Sequence, residues 1–251
     1  MHWAWWLQQQ MSQEWVAKGV LGAAPFGIER VALCHVLTGG AGGGKTTTLR
    51  VIESLLDFFF GSDSLKKSAP TNTAARLLGG DTTHATYKLP RGTMLGRRAK
   101  LSPHVLKKFR QRWTSVRAHA VDEVSVLPPH ALFHIDLRSR QAKQDEHHTF
   151  GNLATCLCGD FLQLPPVEEP SLAMPVDDAG YAQEFDSQAQ GGNKEEDEKR
   201  KERKEFEHRS GFEIWRECFT VATCLNLNMR TEGVLADILQ GMRDGAISDG
   251  A

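Results

Sequence analysis

Gly39-Gly40-Ala41-Gly42-Gly43-Gly44-Lys45-Thr46 decides how the rest of this sequence is read. Five of the chain's 23 glycines fall between positions 39 and 44, and the octapeptide fits GxxxxGK[ST] with Gly39 and Gly44 at the fixed glycines. Backbone N–H groups surround a phosphate only where no Cβ intrudes and positive φ is open to the chain. Such a loop, here Gly39 to Thr47, cradles the phosphates of a nucleotide; Lys45 brings a point charge to the β- and γ-phosphates, and Thr46 offers a hydroxyl to Mg²⁺. The flanks agree. Val31 to Leu37 is an apolar run that reads as a buried strand, and Thr46 to Phe60 has apolar residues at helical spacing and is closed by Gly61. That helix aims its N-terminal dipole at the same anion.

Working outward, helices are expected around Ser12–Val20, Arg76–Leu78, Val105–Trp113 and Ala131–Leu137, with strands at Ala118–Val121 and Leu153–Leu157. Strands alternating with helices predict an α/β fold, a mostly parallel sheet with helices on both faces. Asp122-Glu123 follows the strand at Val121, where one carboxylate can hold Mg²⁺ and its neighbour can polarise an attacking water. Arg117 and His119 make that strand unusually polar for a buried one. Cys156 to Pro166 reads as a strand, a tight turn and a rigid two-proline exit, and such a turn at the carboxyl edge can present Gln163 to a terminal phosphate.

The remaining features read as structural. Cys156 and Cys158 alternate onto one face and suit a core. His130 and His134 stand at i,i+4, but without an HExxH glutamate or a third ligand in view they read as structural rather than as a metal pair. Four of the six tryptophans lie in the first thirty residues and are expected to close a core edge. Within Lys194–Arg209, seven Lys/Arg balance seven Asp/Glu, which reads as a solvated helix or disordered insertion. The expected organisation is an N-terminal Trp-rich segment over 1–30, a nucleotide-binding domain over 31–168, a charged insertion over 169–210, and the rest of the same domain over 211–251.

Hydrophobic residues at 40% and charged residues at 24% match a globular chain and exclude a mostly disordered, collagenous or membrane-embedded one. A net charge of −1 provides no global field toward nucleic acid or a membrane, so a polyanion site must be local. Five scattered cysteines form neither a disulfide framework nor paired zinc ligands, and a reduced intracellular compartment is expected. The apolar patch Trp3–Leu7 is too short for a signal peptide or a membrane span.

Four further stretches complete an ordered set with the glycine loop: Ala69-Pro70-Thr71-Asn72-Thr73-Ala74-Ala75, Gly79-Gly80-Asp81-Thr82-Thr83-His84, Asp122-Glu123-Val124-Ser125, and Gly159-Asp160-Phe161-Leu162-Gln163-Leu164-Pro165-Pro166-Val167. In this order they resemble the Pif (petite integration frequency) family of superfamily-one DNA helicases, from about Val31 to Gly245. The resemblance implies a RecA-like motor domain that hydrolyses ATP with Mg²⁺ while gripping single-stranded DNA and moving 5′ to 3′. It implies work in DNA repair, recombination and telomere maintenance, in the nucleus or alternatively the mitochondrion; Lys199-Arg200-Lys201 is a candidate nuclear signal. Carried over by position, Lys45 and Thr46 bind nucleotide and Mg²⁺, Asp122 is the metal ligand and Glu123 the catalytic base. Gln163 matches the γ-phosphate sensor, Arg230 an arginine that reaches the γ-phosphate, and Thr71, Asn72 and His84 the first DNA-contacting element.

The sequence departs from the family in four places. Gly43 stands where a threonine is usual, and Ser64-Leu65-Lys66-Lys67-Ser68 makes a poor strand where the family has an apolar one. The adenine-reading glutamine is either Gln10 or Gln13. The sequence closes at Ala251, too soon after Arg230 for a second RecA-like domain, so the alternative reading is a nucleotide- or DNA-binding module without helicase turnover.

Overall fold

The computed structural model describes residues 3, 6, 7, 10, 32–89, 101–174, 194–226 and 241, the side chains of 194–197 aside. The apolar run before the glycine loop forms β1 (Cys34–Gly39), and the helix after it is α1 (Lys45–Phe60), which begins at Gly44 and ends at Gly61. Leu49, Ile52 and Leu56 recur at helical spacing and bury one face of α1. Next come β2 (Leu65–Ala69), α2 (Asn72–Leu78), the short β3 (Asp81–Thr82) and α3 (Thr83–Tyr87). Thr71 and Thr82 cap α2 and α3, their hydroxyls accepting from the amides of Ala74 and Ala85. Then follow α4 (Pro103–Trp113), β4 (Ala118–Val121), α5 (Pro129–Lys143), β5 (Ala154–Gly159), α6 (Lys194–Cys218) and β6 (Val221–Leu225).

The six strands form one sheet in the order β3-β2-β4-β5-β1-β6, with every pair parallel. Parallel strands need both faces covered. Trp6, Leu37, Leu56, Ala120, Cys156 and Cys158 build one core layer with α1, and Tyr87, Trp113, Val121, Leu132, Phe150 and Leu157 build the other. This bears out the expected parallel sheet between helices. Trp3 and Trp6 close a core edge as expected, the Trp3 indole donating to His35 Nδ1 at 3.1 Å. Trp5, Trp15, Val31 and the helix expected over 12–20 lie outside the described residues.

Three local expectations are corrected. Leu65–Ala69 is a regular interior strand despite its lysines: Leu65, Ser68 and Ala69 are buried, and the Lys67 ammonium is neutralised by Glu53 of α1 at 2.7 Å. The polarity of β4 is also accounted for. His119 is fully buried between the Tyr87 hydroxyl and the Thr155 hydroxyl, and burial holds its imidazole pKa down at about 3, so it is neutral. Arg117 stacks over the Phe60 ring just before the strand.

The charged tract is a helix, exposed over residues 198–203 as one of the two readings had it, and differs only in its inward end. It forms the N-terminal part of α6, whose Glu207 and His208 are buried against α5. A Cβ on Gly211 would stand 1.8 Å from the Pro129 carbonyl oxygen, so the two helices cross where only glycine fits. Among the described residues no helix is long and apolar enough to cross a membrane.

Candidate active site

Because all strands are parallel, the segments that follow β1, β2, β4 and β5 gather along one edge of the sheet. The connection from β1 leads toward β2 and that from β5 toward β6, so the chain parts between these two neighbours, where open α/β sheets bind their ligands. A cleft of about 610 Å³ opens there. It is lined by residues 41–48 of the glycine loop, Asp122 and Glu123 after β4, Gly159, Asp160 and Gln163 after β5, and Leu225 of β6. Segments far apart in sequence thus converge as the motifs implied.

The glycine loop has the geometry of a phosphate cradle. Gly44 sits at φ 92°, and the Lys45 ammonium bridges the carbonyls of Gly39 and Gly40 at 2.7 and 3.1 Å. At Gly43 a Cβ would come within 3.2 Å of the Gly40 carbonyl and 3.3 Å of that of Leu225, so glycine sits here without any shift of its neighbours. The Thr46 hydroxyl and the Asp122 carboxylate are hard oxygen donors in the same cleft, a set that fits Mg²⁺ completed by phosphate and water oxygens.

Asp122 accepts the Glu123 amide at 2.9 Å. Burial pushes its carboxyl pKa up, opposed by that amide and by the Lys45 charge. Glu123 holds a left-handed backbone, φ 56°, rare for a residue with a side chain. The turn it makes lies directly on β5: a Cβ on Gly159 would be 2.7 Å from the Val124 nitrogen. This backbone sends Glu123 Oε2 toward α2, where the Thr71 hydroxyl donates to it at 3.0 Å. After β5, Asp160 accepts the Leu162 amide through its side chain and the Gln163 amide through its carbonyl, closing the turn that brings Gln163 to the cleft.

Thr71 and Asn72 open α2 and His84 lies in the first turn of α3, all exposed beyond the carboxyl ends of β2 and β3. Arg230 and Gln13 lie outside the described residues; Gln10 is half-buried and is not among the residues lining the cleft. The Thr71–Glu123 bond and the turn-forming role of Asp160 were not anticipated.

The family described as PIF1-like helicase matches residues 11–179. ATP-dependent DNA helicase PIF1 of Saccharomyces cerevisiae is 35% identical over 134 residues, which are 53% of this chain and 15% of that protein. PIF6 of Trypanosoma brucei brucei is 34% identical over 139 residues, 53% of this chain and 17% of that one. Among solved structures, the Pif1 helicase from Candida albicans aligns with a TM-score of 0.57 at 25% identity over 95% of this chain and 44% of that chain. The Pif1 helicase from Bacteroides in complex with ADP-AlF3 and ssDNA gives 0.57 at 20% identity, over 96% and 47%. The chain therefore spans about a sixth of those two curated relatives and less than half of these structures. The match at 20% identity establishes the RecA-like fold alone, but the family match takes in the glycine loop, the Asp122-Glu123 pair and the Gln163 turn, and the chain accordingly belongs to the PIF1-like helicase family.

Proposed function

We propose that this chain is the first RecA-like motor domain of an ATP-dependent DNA helicase that couples ATP hydrolysis to 5′-to-3′ movement along single-stranded DNA. The observation that carries the reading is the Thr71–Glu123 hydrogen bond, which joins the carboxylate best placed to work on a water to the element best placed to touch a DNA strand. The glycine loop amides and Lys45 hold the β- and γ-phosphates, and Thr46 and Asp122 hold Mg²⁺, which when bound spreads the phosphate charge. Glu123 takes a proton from the attacking water, and Gln163 orients against the γ-phosphate. Arg230 offsets the charge that develops during transfer. Thr71, Asn72 and His84 contact the DNA backbone, where small hydroxyl and amide side chains allow close approach.

Phosphate release measured with and without single-stranded DNA tests this. Lys45→Ala is expected to abolish nucleotide binding, and Glu123→Gln to keep binding while slowing turnover by about 100-fold or more, the worth of a positioned base. Unchanged release in Glu123→Gln overturns the assignment. Binding of nucleotide and DNA without any release leaves a binding module in its place. DNA repair, recombination and telomere maintenance, in nucleus or mitochondrion, are the settings this activity suits.

A further inference from the structure

We propose that His130, Glu169 and His208 form a binding site for a divalent transition-metal ion of the zinc class, away from the nucleotide cleft. The three side chains come from separate parts of the chain: His130 from the first turn of α5, Glu169 from the loop after β5, and His208 from α6. Their ligand atoms all lie within 4.8 Å of one another. Glu169 Oε2 stands 3.0 Å from His208 Nε2 and 3.8 Å from His130 Nδ1. Donor atoms held about 2.1 Å from a tetrahedral zinc ion stand roughly 3.4 Å apart, so these spacings bracket the edge of such a site.

The orientation of the side chains favours a cation at the centre. Among the described residues, His130 Nδ1 and Glu169 Oε2 are buried and make no hydrogen bond, although each has a polar neighbour close by. Buried polar atoms normally find partners. Two imidazole nitrogens and a carboxylate oxygen that converge on one point are arranged as ligands are. The Lys204 ammonium binds the other oxygen, Oε1, at 2.9 Å, which fixes the carboxylate and leaves Oε2 turned to the imidazoles, the part an outer partner has in metal sites. Two imidazoles and one carboxylate select Zn²⁺ or Co²⁺ over Mg²⁺ and Ca²⁺, with water as the fourth ligand.

The test uses the whole 251-residue chain, stripped with chelator, reloaded with ZnCl₂, desalted and assayed for retained zinc by mass spectrometry. One equivalent is expected. Glu169→Gln and His130→Ala are expected to weaken retention by more than about 100-fold, beyond what loss of an outer partner costs. With Co²⁺ in place of zinc, visible bands of a tetrahedral nitrogen and oxygen site are expected, without thiolate charge transfer. That spectrum is read on the unmodified chain, so it decides even where a variant misfolds. No retained metal, retention in both variants equal to that of the unmodified chain, or a thiolate band assigning the ion to Cys156 and Cys158, whose sulfurs are 3.5 Å apart, each overturns the proposal.

Discussion

Glu123 is held by two residues far from it in sequence. Gly159 lets its turn lie flat on β5, and Thr71 donates to its carboxylate while capping α2. Thr71→Ser keeps both hydrogen bonds and is expected to hydrolyse ATP at nearly the normal rate. Thr71→Val loses both, and DNA-stimulated phosphate release is expected to fall by about tenfold, a fraction of what a positioned base supplies. Equal rates in the two variants would remove Thr71 from the coupling. A second residue-scale prediction concerns His119. Its folded pKa of about 3 lies below the ordinary 6.5, so the unfolded chain takes up the proton first as pH falls. Its contribution is complete above the unfolded value and is lost on acidification at about 1.4 kcal/mol per pH unit. Urea denaturation at successive pH values below neutrality should show this slope, and His119→Gln should remove one proton's share of it. Lys45, Thr46, Asp122 and Gln163 were legible in the sequence because each belongs to a short motif with its own backbone requirement. The Thr71–Glu123 bond was not, because its partners are 52 residues apart and neither sequence position marks the other.

At the scale of elements, the expectations that failed did so through charge. Lys66 and Lys67 disguise β2, because a side chain's polarity says nothing about a partner such as Glu53 waiting on the neighbouring helix. The run from Lys194 likewise resembles a solvated segment until Glu207 and His208 turn inward, where Glu207 meets His134 at 3.0 Å. The crossing of α5 and α6 at Gly211 makes this inward face possible. Gly211→Val is expected to force the helices apart and lower stability by roughly 1–3 kcal/mol, the usual cost of overpacking. Thermal unfolding would measure it, and an unchanged midpoint would mean the helices do not cross this closely. Elements with plain periodicity, such as α1, were read nearly to their ends.

For the whole molecule, the parallel sheet predicted from alternating strands and helices is what places every motif on one edge. Strand order was not legible, since it depends on which way each crossover turns. A chain with this edge intact should gain stability from Mg²⁺ and ATP together, by about 2.7 kcal/mol when ligand stands at 100 times its dissociation constant. The midpoint of thermal unfolding should rise with nucleotide and stay fixed in Lys45→Ala; a rise in that variant would place the nucleotide elsewhere.

One short loop leaves β5 with Gln163 at the nucleotide cleft and, past Pro165-Pro166, brings Glu169 against Lys204 and His208 midway along α6. Whatever factor nucleotide occupancy imposes on the affinity of the His130, Glu169 and His208 cluster for its cation, the cation must impose on nucleotide affinity in return. A cation at that cluster would then be a second input to nucleotide binding, read without any contact between ion and phosphate.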